Sequence, residues 1–318
     1  MTVSLVLGGG GARGLAHIGA IEWLNANGYR IRSISGSSIG ALVGGIYAAG
    51  KLDAYADWSR RLERHNVVGL LDPALGRAGL FKGDRIIGVL RALVGEFAID
   101  ALPLAFTAVA TDLHTGEEVW LREGPLFDAI RASIAIPLVF TPFELGGRTL
   151  LDGALVNPLP IAPTLDDGTD LTVAVDLSGP PETPPPRPAA TAAAEPAGYA
   201  RRIRGFVGSL SLPRLGEGLS PGMLDIAFVS MQAMQDTITR LRLSSYAPDV
   251  TVSIPRNACG YYEFWRADEM IEIGRQHTAS AFARFDASAP ERAAAPGGAA
   301  ADDSTTRPRP TRGERGPG

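Results

Sequence analysis

The chain is poor in several of the features that usually announce a protein's chemistry. It has one cysteine, Cys259, among 318 residues, which excludes an internal disulfide and a cysteine-rich metal site. It has no excess of basic charge: 30 Lys and Arg stand against 34 Asp and Glu, a net charge of −4. Nucleic acid is therefore not an expected partner. No G-x-x-x-x-G-K-[ST] stretch is present, which removes a P-loop nucleotide site. The N-terminus starts in a strand, without a basic segment, a long apolar core or a small-residue cleavage site. The expected location is cytoplasmic, with peripheral contact at the inner membrane face left open. Residues 33–50 lack formal charge but are rich in Gly and Ser, which reads as a buried turn and helix and not as a membrane span. There is no internal repeat.

What the chain does have is 45% hydrophobic residues, enough to bury a sizeable core. Two glycine-rich turns lie close together near its start. Gly8-Gly9-Gly10-Gly11-Ala12-Arg13-Gly14 follows the apolar run Val3–Leu7, and Gly36-Ser37-Ser38-Ile39-Gly40 follows Ile31–Ser35. Each turn opens into a helical pattern: Leu15, Ile18, Ile21 and Leu24 in the first, ended by Gly28, and an almost wholly apolar 39–50 in the second. Strand, turn, helix, repeated twice, predicts an α/β protein with a mostly parallel sheet.

Farther on, 51–102 reads as mainly helical and more polar, a candidate lid. Residues 104–112 read as a strong strand, turned by His114-Thr115-Gly116-Glu117 into 119–121. A short helix over 126–133 stops at Pro137, Gly146-Gly147 marks a hairpin, and 149–151 and 171–175 read as strands. A long helix is expected over 228–243, a strand over 249–254 and a final helix over 268–285. The Pro- and Ala-rich 180–198 reads as a mobile loop, and 287–318 as a disordered tail to a single domain over 1–286.

The second turn is a G-x-S-x-G elbow, which exposes a serine hydroxyl between strand and helix. The plain alternative is that Ser38 only caps the following helix. The first turn has a competitor of its own. Gly9-x-Gly11-x-x-Gly14 fits a dinucleotide site, but that site needs an acid at the end of the second strand. The only acid between Gly14 and Lys51 is Glu22, inside the first helix, so the nucleotide reading fails its own test. Under an acyl-transfer reading, the N–H groups of Gly9, Gly10 and Gly11 would face a developing oxyanion. Arg13 would add charge or brace the loop, and its plain alternative is a surface salt bridge.

A serine nucleophile needs a base. His17 lies in the first helix, where packing is its simplest role. His65 and His114 sit in polar, loop-like settings, and His277 in the final helix. Asp152, at the end of an apolar strand in Leu150-Leu151-Asp152-Gly153-Ala154, could take the serine proton directly, or merely form the turn. An α/β-hydrolase triad in the order Ser38, Asp152, His277 is the enzymatic alternative.

Taken together, four blocks resemble the patatin-like phospholipase family, in its bacterial, neuropathy-target-esterase-like form. They are Gly9–Gly14, Gly36–Gly40, Arg131–Pro137 with Phe140 and Pro142, and Asp152-Gly153-Ala154. The resemblance spans about residues 3–180. It implies a three-layer α/β/α fold and a dyad with Ser38 as nucleophile and Asp152 as base. Gly9, Gly10, Gly11 and Arg13 would form the oxyanion region, with Gly14, Gly36, Gly40 and Gly153 as supporting positions. It further implies hydrolysis of (lyso)phospholipids or related acyl lipids through an acyl-Ser38 intermediate, with no metal or organic cofactor. The chain departs from the family pattern mildly, with Asp-Gly-Ala where Asp-Gly-Gly is commoner, and Gly-Ser-Ser-Ile where Gly-Thr-Ser is usual. A catalytically silent lipid- or nucleotide-binding module is the reading from another class.

Two segments carry a structural expectation without chemistry. Arg131–Pro142 is expected to pack under the site and aim the Asp152 strand, in preference to a catalytic role for Ser133. Leu224, Ala227, Phe228, Met231 and Met234 share one helix face, which reads as core before it reads as an acyl pocket.

Overall fold

The computed structural model describes residues 1–74, 79–183 and 221–288. Eight strands form one sheet in the order β5-β6-β3-β2-β1-β7-β8, with β4 paired to β3 off that path. The strands are β1 (Thr2–Leu7), β2 (Arg30–Ser37), β3 (Ala105–Asp112), β4 (Glu118–Leu121), β5 (Phe143–Leu145), β6 (Arg148–Asp152), β7 (Leu171–Gly179) and β8 (Val250–Pro255). The five strands from β3 to β8 along the path are parallel, and β4, β5 and β6 run antiparallel to their neighbours.

The period of two along β1 separates the layers. Val3, Leu5 and Leu7 join the main core with helices α1 (Ala16–Ala26), α2 (Ile39–Ala48), α6 (Leu126–Ser133) and the final helix α8 (Ala267–Ala287). Val6 points the other way, onto Leu159, Ile161 and Ala174, covered by Leu243 and Tyr246 at and just beyond the C-terminal end of the long helix α7 (Pro221–Ser245). Each of the large side chains fully buried here, Phe127, Phe282, Leu5 and Leu24 among them, contributes about 1.5–3 kcal/mol of apolar burial.

The lid region resolves into α3 (Leu52–Arg60), α4 (Arg64–Gly69) and α5 (Asp84–Val94). Asp72 caps α5, accepting the N–H groups of Gly83, Asp84 and Arg85, which answers both the orphan donors and the dipole of that helix start. α1 begins one residue later than its apolar pattern, because Gly11–Leu15 winds as a 3-10 turn first. α8 runs to Ala287, two residues beyond the pattern that suggested it. Of the expected mobile loop only 180–183 is described. The rest of it, and the tail from 289, lie outside the described residues. Among the described residues no helix is long and apolar enough to cross a membrane.

Candidate active site

Three strands bring Ser38 and Asp152 together. β2 runs parallel to β3 and ends with Ser37 opposite Val109. β6 runs antiparallel to β3 and ends with Asp152 opposite Ala110. β4 overlaps both pairings, covering 108–111, and so occupies the other edge of β3. The two strands therefore meet end to end along one edge of β3, and Ser38, the residue after β2, becomes a neighbour of Asp152 although 114 positions separate them in sequence.

Ser38 has the backbone of a nucleophile elbow: φ is 56° and ψ −126°, a conformation that costs a non-glycine residue roughly 1–3 kcal/mol. The flanking glycines allow it. A Cβ at Gly36 would run into the backbone of Gly40 and Ala41, and one at Gly40 into the Leu7 carbonyl at the end of β1. The Ser38 side chain makes no cap bond to α2, so the capping alternative does not hold. Its hydroxyl donates instead to Asp152 Oδ2 at 2.6 Å.

Asp152 is anchored on all sides. Its N–H donates to the Ala135 carbonyl at 3.0 Å, its carbonyl accepts the Thr111 hydroxyl at 2.9 Å, and Oδ1 accepts the Ala154 N–H at 2.8 Å. It thus forms the Asp-Gly turn and faces the serine at once. Burial pushes its carboxyl up to about 7, against the smaller opposing effect of the Ser38 and Ala154 hydrogen bonds. A carboxylate so placed can gain and lose a proton near neutral pH.

The glycine turn after β1 faces this pair, but not all of its donors are available. The Gly9 N–H donates to the Pro158 carbonyl at 2.9 Å, and the Ala12 N–H to the Tyr261 carbonyl at 2.8 Å. Gly9 is thus a structural member of the turn, which corrects its expected place as a donor. The Gly10 and Gly11 N–H groups, and that of Ile39 at the start of α2, have no hydrogen-bond partner among the described residues. Arg13 is buried and makes no salt bridge among the described residues. Its Nε donates to the Gly10 carbonyl at 3.2 Å and Nη1 to the Arg256 carbonyl at 3.0 Å, so it braces the loop. His17 holds the Gly8 carbonyl through Nε2 at 2.8 Å, and burial lowers its pKa to about 4, which keeps it neutral.

Gly11 and Ser38 open onto one chamber of about 980 Å³, part of it open to solvent. Its walls are almost wholly apolar: Ile39 and Leu42 of α2, Tyr55 and Trp58 of α3, Ile86 and Leu90 of α5, with Phe81, Ile136 and Tyr261 among the rest. Sequence inspection passed over these wall residues. Their signal was the apolar face of the lid helices, visible as Leu52, Tyr55 and Ala56 turned inward on α3. Phe228 and Met231 of α7 pack with Phe81, Ile136, Val139 and Tyr261, behind the chamber. Met234 and Ala227 are exposed, so of the expected apolar face only Phe228 and Met231 pack among the described residues, and the Leu224 side chain lies outside them.

His277 is not part of the site. Its Nε2 lies 3.9 Å from Glu182, and both Asp152 oxygens bond elsewhere.

The patatin-like phospholipase family model matches residues 5–165. The chain is similar to an uncharacterized NTE family protein of Mycobacterium tuberculosis, 37% identical over 347 residues that cover 92% of this chain and 94% of that one. It is also similar to patatin-like phospholipase domain-containing protein 6 of Mus musculus, 25% identical over 290 residues, 88% of this chain and 20% of that one. The crystal structure of VipD from Legionella pneumophila aligns at a TM-score of 0.41 and 15% identity, over 88% of this chain and 67% of that chain.

Proposed function

The chain belongs to the patatin-like phospholipase family, and on that premise we propose that it is a serine hydrolase of fatty-acyl esters, working through a Ser38–Asp152 dyad. The observation that carries the reading is the 2.6 Å hydrogen bond from the Ser38 hydroxyl to a buried Asp152 carboxylate, at the mouth of an apolar chamber.

In the reaction, Ser38 Oγ attacks the ester carbonyl as its proton passes to Asp152 Oδ2. The carbonyl π electrons move onto oxygen, and the Gly10, Gly11 and Ile39 N–H groups meet that charge, helped by the N-terminal end of α2. Collapse expels the alcohol, which takes the proton from Asp152, and leaves acyl-Ser38. Water then attacks the acyl carbon, giving its proton to Asp152. The second collapse returns that proton to Ser38 Oγ and releases the fatty acid. The chamber walls would hold the acyl chain, and (lyso)phospholipids are the proposed substrate class. A substrate of that kind is met at a lipid surface, so peripheral membrane contact belongs to this proposal, and co-sedimentation with phospholipid vesicles tests it.

Labelling by a fluorophosphonate probe tests the chemistry. Wild type should label, Ser38→Ala should not, and Asp152→Asn should label far more slowly. Hydrolysis of a p-nitrophenyl acyl ester should fall about a thousandfold or more in both variants. His277→Ala should keep nearly full activity, and a loss of several orders there would restore the triad. Folded wild type that neither labels nor hydrolyses would leave only a silent lipid-binding module.

A further inference from the structure

One short stretch at the end of α6 holds both halves of the dyad. Ser133 is fully buried. Its hydroxyl accepts the Ser38 N–H at 2.9 Å and donates to the Val109 carbonyl at 2.6 Å. Two residues on, the Ala135 carbonyl accepts the Asp152 N–H at 3.0 Å. β2 and β6 stop opposite consecutive residues of β3, Val109 and Ala110, and Ser133 stands where β2 leaves that ladder. Beyond Ser37 the main chain is carried away from β3 by the positive φ of Ser38. The Ser38 N–H therefore reaches the β3 carbonyl only through the Ser133 hydroxyl, which can accept and donate at the same time.

From this geometry we propose that Ser133 is a positioning residue for acyl transfer, holding the strained Ser38 backbone so that Oγ meets both Asp152 and the ester carbon. The proposal rests on Ser38 being the nucleophile. It also explains which donors face the oxyanion. The Ser38 N–H is committed to Ser133, which leaves those of Gly10, Gly11 and Ile39. Without the hydroxyl, a buried N–H and a buried carbonyl lose their partner, and the elbow relaxes toward a less strained φ. Oγ then moves by a fraction of an ångström to an ångström, enough to cost about 10- to 100-fold in rate. Substrate binding, which depends on the chamber walls, is left alone.

The test compares wild type, Ser133→Ala and Ser133→Cys by steady-state hydrolysis of a p-nitrophenyl acyl ester and by the rate constant of fluorophosphonate labelling, with thermal unfolding in parallel. Ser133→Ala is expected to lose about 10- to 100-fold in kcat with KM within about twofold, and to label more slowly by a similar factor. Cysteine fills the same space but bonds weakly through sulfur, so Ser133→Cys should fall with alanine, and it decides the matter if the alanine variant does not fold. A folded Ser133→Ala or Ser133→Cys with wild-type kcat overturns the positioning role and leaves the nucleophile assignment standing. A rise in KM with kcat unchanged overturns it as well. Failure of wild type to label, with no difference from Ser38→Ala, overturns the nucleophile assignment and this inference with it.

Discussion

Asp152 is the residue whose surroundings most directly predict behaviour. In its proposed role as base, Asp152 must be ionised to accept the serine proton, and burial raises its pKa to about 7. The kcat/KM of ester hydrolysis should therefore rise as pH increases through about 7 and then level. An acid limb near 4 would show that the carboxylate is better solvated than this structure has it. The same burial makes the residue a burden to the fold. A carboxyl whose pKa is raised in the folded state contributes stability only while protonated, and that contribution is lost as pH rises from about 4 to about 7. Asp152→Asn should therefore be more stable than wild type at pH 8, by about 2–3 kcal/mol in urea unfolding, while losing activity.

At the scale of elements, the site depends on how closely helix starts approach strand ends. α2 begins against the last residue of β1, where Gly40 leaves no room for a side chain beside the Leu7 carbonyl. Gly40→Ala should push α2 off the sheet. We expect a loss of about 2–4 kcal/mol in unfolding free energy, together with slower probe labelling, because Ile39 moves with the helix. The next turn of α2 carries Leu42 in the chamber wall. Leu42→Trp should block the acyl chain and spare the dyad. The expected result is wild-type turnover of an acetyl ester with a KM for long-chain esters raised about tenfold or more. Equal loss on both esters would mean that the acyl chain lies elsewhere.

Across the whole molecule, pH acts through buried groups of opposite sign, His17 and Asp152 among them. His17 has its pKa lowered to about 4, so the unfolded chain takes up that proton first, and stability falls as pH drops from about 6.5 toward 4. Asp152 is raised to about 7 and has the reverse slope over nearly the same window. The two slopes should nearly cancel in wild type over their shared window, the His17 effect being worth about 3 kcal/mol and the Asp152 effect about 4 kcal/mol at its limit. His17→Gln, which keeps a donor for the Gly8 carbonyl, should expose the Asp152 slope. Urea unfolding of that variant should show stability declining steadily between pH 4.5 and 7. A slope equal to that of wild type would mean that His17 is not the compensating group.

Much of this was legible in the chain itself. The alternation in β1, the glycines around Ser38 and the Asp-Gly break after β6 are local features, written by steric limits and by a period of two or 3.6. They were enough for the fold class and the parallel opening of the sheet, and they marked Ser38 and Asp152 as candidates. The tertiary structure decided matters that depend on register and on long-range partners. That β2 and β6 end side by side follows from the pairing of each with β3, which brings together two segments more than a hundred residues apart. Which glycine N–H groups remain free depends on Pro158, and whether Arg13 faces solvent or braces the loop depends on Arg256. His277 had the right residue type and a permitted order in the chain, yet α8 carries it toward Glu182. Local patterns set what each segment can become, while the hydrogen-bond partners of a buried atom are fixed only when distant segments close around it.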